Sequence, residues 1–385
     1  MTPCRLQYRF CLSRKNLQHI YSALFPPKPR RGGFSLAELL VAIAILTIIL
    51  LVSFQLISGT SGIWIRSNSK MIEGREARVA FNSMISRLSQ ATVNPYYGYT
   101  WTGASTGTAT PISYVRHSEL RFYSGPSATL IPTFATTSPT DAVFFVAPLG
   151  YVSNTTDYGH LPSLLNICGY YIQWSNVDLE RPSILPSVNL PYSFQLMQFV
   201  QPSEQMSLYN ATANNYANGY KQVTTSPAWQ TTALFGNPAG TTALNVRPIA
   251  RNVIALLLLP ATSTTDTSGT LTPVDYQYNS EKAATGVTTA NTSVNRAPPV
   301  MRVVMYTIDD ISAKKLSTST TMPNLYVDTS SNPIFTNPTK LFPNPTSGEI
   351  GDLSRFEATL VSQRITFRRF EAAVELPRQP WNYQN

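Results

Sequence analysis

The chain has 385 residues, 43% of them hydrophobic and only 13% charged, with a formal net charge of +9. So few charges exclude a charge-laced coiled coil and a chain kept disordered by self-repulsion. The 29 Pro and 19 Gly beside 20 Tyr and 17 Phe favour many short strands over a mostly helical fold. The basic balance is local: Arg5, Arg9, Arg14, Lys15, Lys28, Arg30 and Arg31 stand in residues 1–33 with no Asp or Glu, and +9 less these seven leaves +2 for the body.

Directly after this basic stretch, Phe34 to Ile57 form an apolar run with a single charge, Glu38. As a helix it would extend ~36 Å at 1.5 Å per residue, enough for the ~30 Å hydrocarbon core of a bilayer. The seven upstream cations against Arg66 and Lys70 beyond the far end predict a single pass with the N-terminus in the cytoplasm and the body outside. A secretory signal would place its cleavage site behind the apolar core, whereas here Gly33 closes the basic stretch in front of it. Glu38 is costly in lipid, by about 2.5–3.5 kcal/mol on insertion scales, and the helix supplies no nearby cation to pair with it.

The stretch from Gly33 to Leu40, GFSLAELL, resembles the prepilin cleavage and methylation motif of type IV pilins and type II secretion pseudopilins. The resemblance implies cleavage between Gly33 and Phe34 by a prepilin peptidase, N-methylation of Phe34, and a pairing role for Glu38. In an assembled filament the Glu38 carboxylate would neutralise the Phe34 ammonium of a neighbouring subunit, so that two groups costly alone in lipid form one paired site.

Beyond the apolar run, Gly59 and Gly62 are expected to weaken the helix by ~1 kcal/mol each. The pattern then resumes with Ala77, Phe81, Met84, Leu88 and Ala91 on one stripe, until Pro95 ends it. The division expected is a basic leader at 1–33, a transmembrane half-helix at 34–58, an amphipathic exported half at 59–95 and a β-rich body at 96–385. Strands are predicted at Glu119–Tyr123, Ala142–Ala147, Ile167–Trp174, Ser193–Val200, Asn252–Leu259, Met301–Ile308 and Arg364–Val374, and a helix at Asp352–Gln363. The Thr/Ser-rich stretches 100–113, 124–140, 261–272 and 284–294 read as surface loops or insertions.

A long helix followed by strands predicts an α+β, pilin-like fold in which a mainly antiparallel sheet body lays its apolar face on the helix. The order of GREARVAFNSMISRLSQA, CGYYIQW, YSFQLMQFVQPSE and RVVMYTID is similar to that of the larger minor pseudopilins, the J-type of type II secretion and the W-type minor pilins. The stretches REARVAFNSMISRLSQATVNPYYGY, PPVMRVVMYTIDDISAKKL and VSQRITFRRFEAAVELPRQPW resemble the pilin-like set called Verru_Chthon cassette protein C.

Chemistry-bearing patterns are few. Cys4 and Cys11 lie in the basic leader, so Cys168 stands alone in the body, reads as a small buried hydrophobe and permits no internal disulfide. His117 with Glu119, and His160, lack the spacing of a metal site. No nucleophile elbow, phosphate-binding loop or zinc-protease helix occurs, so no enzyme is expected, and no cofactor or metal is implied. Asp309 and Asp310 are expected to cap the following ISAKKL. Asp266, Ser268 and Asp275 around Gly269 could wrap calcium but read more simply as turn residues.

The aromatics Tyr96, Tyr97, Tyr99 and Trp101 are expected to pack in a corner where helix meets sheet. The opposing expectation is exposure, which would let them stack on glycan or nucleic-acid bases. Nucleic-acid binding is not expected, because cations near them are lacking in the sequence. The partners implied are the lipid bilayer, prepilin peptidase, other pilin or pseudopilin subunits, and an inner-membrane assembly platform with its ATPase. The function expected is that of a structural filament subunit, in a minor position at the filament tip or within it, given 352 residues after cleavage. The rival is a surface binding module, an adhesin or DNA-uptake receptor, mounted on a pilin helix.

Overall fold

The structure, a computed structural model, describes residues 35–102, 110–118, 120–176, 191–206, 245–261, 276–281, 294–342 and 350–376. It has an α+β architecture, an N-terminal apolar helix followed by antiparallel sheets. Two compact units divide the chain at Arg66 and Ser67.

Helix α1 runs from Leu36 to Leu88, and Gly59 and Gly62 are both helical within it. In the first unit its apolar side chains are exposed all round, from Leu36, Leu39 and Leu40 through Ile48 and Leu51 to Phe54 and Ile57. In the second unit Ala77, Ala80, Phe81, Met84 and Leu88 are buried, at helical spacing, and Ala91 and Val93 continue the buried stripe past the helix end.

Nine strands of the second unit form two larger sheets. The six-stranded sheet comprises β3 (Phe122–Pro126), β4 (Asp141–Pro148), β5 (Leu165–Ser175), β6 (Ser193–Gln201), β7 (Val246–Arg251) and β9 (Tyr278–Asn279), in the order β7-β6-β5-β4-β3-β9. The three-stranded sheet has the order β11-β10-β8, with β8 at Val253–Ala261, β10 at Val300–Ile308 and β11 at Phe367–Glu375. All pairings are antiparallel.

The large sheet is apolar on both faces because both are covered. Val143, Phe145 and Ala147 of β4, with Cys168, Tyr170, Ile172 and Trp174 of β5, share one core with the α1 stripe and with β8 and β10. The alternate residues Ala142, Phe144 and Val146, with Ile167, Tyr171, Met197 and Phe199, form a second core with Leu130, Ile131 and Met206. Period-two alternation therefore assigns β4, β5 and β6 to both cores at once. Gly169 sits opposite Phe144 in the β4–β5 register, and a Cβ there would stand 2.3 Å from the Phe144 ring.

Several boundaries differ from the sequence reading for physical reasons. Asn252, expected to open a strand, is instead left-handed at φ 61° and separates β7 from β8. Its N–H donates to the Phe194 carbonyl and its carbonyl accepts from Ile308 N–H, so this one residue carries the chain between the two sheets. Arg364, expected to begin the last strand, is likewise left-handed at φ 54°, and β11 starts at Phe367. Strand β7 was not expected; it contains Pro248, which an edge strand tolerates.

The stretch 124–140, expected as loop, holds the end of β3, a helical turn α2 (Ser127–Leu130) and a 3-10 turn at Pro132–Phe134, with Ser124, Ser127 and Ser138 buried. Most of the stretches 261–272 and 284–294 lies outside the described residues.

Candidate functional site

At the start of α1 the chain forms a reciprocal cap. The Ser35 hydroxyl oxygen accepts from Glu38 N–H at 3.2 Å, and the Glu38 carboxylate accepts from Ser35 N–H at 3.1 Å and from its hydroxyl at 3.3 Å. This is the S-x-x-E capping box, which satisfies two helix-end donors and sets a carboxylate in the first turn, where the helix dipole favours negative charge. Ser35 was missed by the sequence reading, although Ser three residues before Glu at the head of an apolar run is the signal for it. Glu38 is exposed, as is the helix that follows. Gly33 and Phe34 lie outside the described residues.

Exposure of a helix that is apolar all round decides what must surround it. Burying a single Leu or Ile is worth about 1.5–3 kcal/mol, so a bare run of this length in water would be strongly unfavourable. Leu36–Trp64 is long and apolar enough to cross a membrane.

A second feature lies just past the helix. Strands β1 (Tyr96–Thr102) and β2 (Thr110–His117) make a separate antiparallel ribbon. The expected packed corner is thereby overturned: Tyr96, Tyr97 and Tyr99 are 46, 55 and 55% exposed, and Tyr114 of β2 is 61% exposed. The stretch 100–113, expected as loop, supplies parts of both strands. The Trp101 side chain lies outside the described residues.

Register explains the grouping. Tyr97 pairs with Arg116 and Tyr99 with Tyr114, so these four side chains share one face of the ribbon. The Tyr97 and Tyr114 rings are stacked with centroids 5.6 Å apart, and Tyr99 and Tyr114 are tilted at 5.1 Å. Arg116 donates to the Tyr97 hydroxyl at 3.0 Å and to the Val294 carbonyl at 3.2 Å, and its guanidinium carbon lies 5.5 Å from the Tyr97 ring centre. That hydrogen bond and the charge behind it hold the Tyr97 hydroxyl below the usual tyrosine pKa, with Arg296 adding to the effect. Sequence reasoning missed Tyr114 and Arg116 because cations were sought beside the aromatics along the chain, while the hairpin supplies them from the opposite strand.

The remaining expected residues take structural roles or lie outside view. Asp309 accepts from Ser312 N–H and caps α3 (Asp310–Leu316), and Asp310 pairs with Lys314 at 2.7 Å. Cys168 is buried, which pushes its thiol up to about 11. His160 is exposed on the β4–β5 connection. Among the described residues no group of three or more His, Cys, Asp or Glu is arranged to hold a metal. The His117 side chain, Glu119, and Asp266, Ser268, Gly269 and Asp275 lie outside the described residues.

A family profile described as the prokaryotic N-terminal methylation motif matches residues 28–54. No curated protein and no solved structure matches the chain. The motif supports a type IV pilin or pseudopilin-like precursor anchored in a membrane, and implies processing by prepilin peptidase and assembly with other pilin subunits.

Proposed function

We propose that the chain is the precursor of a minor pseudopilin-like subunit that builds a type IV pilus or type II secretion-like filament through its N-terminal helix. The observation that carries this reading is an apolar helix, exposed all round, that opens on the Ser35–Glu38 cap within the matched motif. Cleavage after Gly33 releases Phe34 as a methylated amine, and Glu38 pairs with the Phe34 ammonium of a neighbour. The inner membrane holds the subunit with its N-terminus cytoplasmic until an assembly platform and ATPase extract it. The body serves as structure and catalyses nothing. The size of the body favours a terminal position.

Mass spectrometry of the N-terminus tests the reading. The native chain is expected to begin at N-methylated Phe34, and Gly33→Trp to leave the full-length precursor in the membrane. Normal shortening of that variant would contradict it.

A second reading is favoured by one observation. The exposed tyrosines beside Arg116 fit a surface binding module mounted on the same helix.

A further inference from the structure

The ribbon face has features that its own folding leaves unexplained. A two-stranded ribbon in water is marginal by itself, and cross-strand aromatic pairs contribute roughly 0.2–1 kcal/mol each. Here Tyr97, Tyr99 and Tyr114 lie together, each residue more than half exposed to solvent, which adds apolar exposure with every ring.

The geometry discriminates between ligands that stack. A nucleic-acid base sandwiched between two rings needs their centres roughly 7 Å apart, two van der Waals contact distances. The centroid separations of 5.6 and 5.1 Å close both slots. What remains is the outer surface of the strip, where the ring faces of Tyr97 and Tyr99, about 7 Å apart along the strand, are open to the C–H face of a sugar ring. Charge selects further. Arg116 is anchored at the strip's edge by Val294 and Tyr97, and Arg296 lies close enough for its charge and that of Arg116 to oppose each other. These two guanidinia favour an anionic ligand, and a nucleic-acid backbone draws its affinity from more phosphate contacts than two cations provide.

We propose that the Tyr97, Tyr99 and Tyr114 face, flanked by Arg116, binds an acidic polysaccharide, with sugar rings stacked on the tyrosines and carboxylates drawn to the guanidinium groups. This inference rests on the second reading above, in which the body is a binding module.

The test titrates the full chain in detergent micelles with oligogalacturonate, an uncharged cello-oligosaccharide and oligothymidylate. Oligogalacturonate is expected to bind, and to bind more weakly as salt rises. Tyr99→Thr and Tyr114→Thr keep β-propensity and are each expected to lower affinity about tenfold. Tyr158→Thr, which removes an exposed tyrosine on the β4–β5 connection, is expected to change nothing. Saturation transfer from tyrosine ring protons to sugar C–H protons reads the contact in the unaltered chain, independently of whether a variant folds.

Equal binding of the uncharged sugar, or binding without ring-to-sugar transfer, overturns the proposal. Tyrosine-dependent binding of oligothymidylate alone overturns the ligand class but leaves the binding module standing. Failure of all three probes to bind overturns both.

Discussion

Asp141 places an ionisable carboxyl in an apolar interior. Its Oδ2 accepts from Leu258 N–H at 2.9 Å, while the Thr140 hydroxyl accepts from Leu256 N–H at 3.1 Å. These two side chains cover the outer edge of β8 and tie the large sheet to the small one, satisfying backbone donors that would otherwise be orphaned. Burial raises the Asp141 pKa to about 7, partly opposed by the Leu258 hydrogen bond. The buried Tyr276 hydroxyl, which has no hydrogen-bond partner among the described residues, is pushed upward as well, by burial first and then by the charges of Asp141 and Asp352.

The sign of the effect follows. Between pH ~4 and ~7 the folded chain holds a proton on Asp141 that the unfolded chain has lost, so stability falls as pH rises through that window. Asp328 acts in the opposite sense at lower pH, because the Arg355 hydrogen bond holds its carboxyl down to about 2, and its contribution is lost as pH falls from ~4 through ~2. Asp141→Asn is expected to flatten the decline between pH 4 and 7 and to be the more stable form at pH 8, by on the order of a few kcal/mol. Urea unfolding across pH checks this. The sequence shows Asp141 only as the first residue of a strand; that the edge of β8 meets it is a tertiary fact.

At the scale of elements, long strands with strong alternation were legible. β4, β5, β6, β8 and β10 each lie within about two residues of expectation, and α4 (Asp352–Ser362) ends one residue before it. The α4 pattern of Leu353, Phe356 and Leu360 is buried as its spacing required. Phe356 meets the rings of Tyr306, Tyr326 and Phe335 at 5.2–6.0 Å. Elements that do not bury a full face were not legible: the β1–β2 ribbon, the Pro-bearing edge β7 and the two-residue β9.

Asn252 shows how one residue decides two elements. A left-handed backbone costs an ordinary residue roughly 1–2 kcal/mol, and Asn tolerates it better than most. Asn252→Val is therefore expected to destabilise the body by about 1–2 kcal/mol, and Asn252→Gly to be close to neutral. Urea midpoints of the two variants check the difference.

At the scale of the whole molecule, the two units answer to different solvents. The apolar half of α1 finds no covering surface among the described residues of its own unit, and lipid or neighbouring subunits would supply one. Glu38 is satisfied locally by Ser35 in the single chain, so loss of its carboxylate is expected to spare insertion and to show itself on assembly. Glu38→Ala is expected to reach the membrane at normal levels and to enter filaments at least several-fold less well, measured as the share of chain cross-linked into multimers. Unchanged incorporation would remove the charge pair from the account.

By itself the sequence determined the N-terminal half-helix, the motif that leads it, the buried stripe from Ala77 to Leu88 and the principal strands. Each rests on local spacing, and spacing is a property of the chain alone. Tertiary structure decided which strands share a sheet, where Asp141 and Asn252 join the two sheets, and that the tyrosines of β1 meet Tyr114 and Arg116 in solvent. Those outcomes depend on the register between segments distant in sequence, and a period along one strand carries no information about its partner.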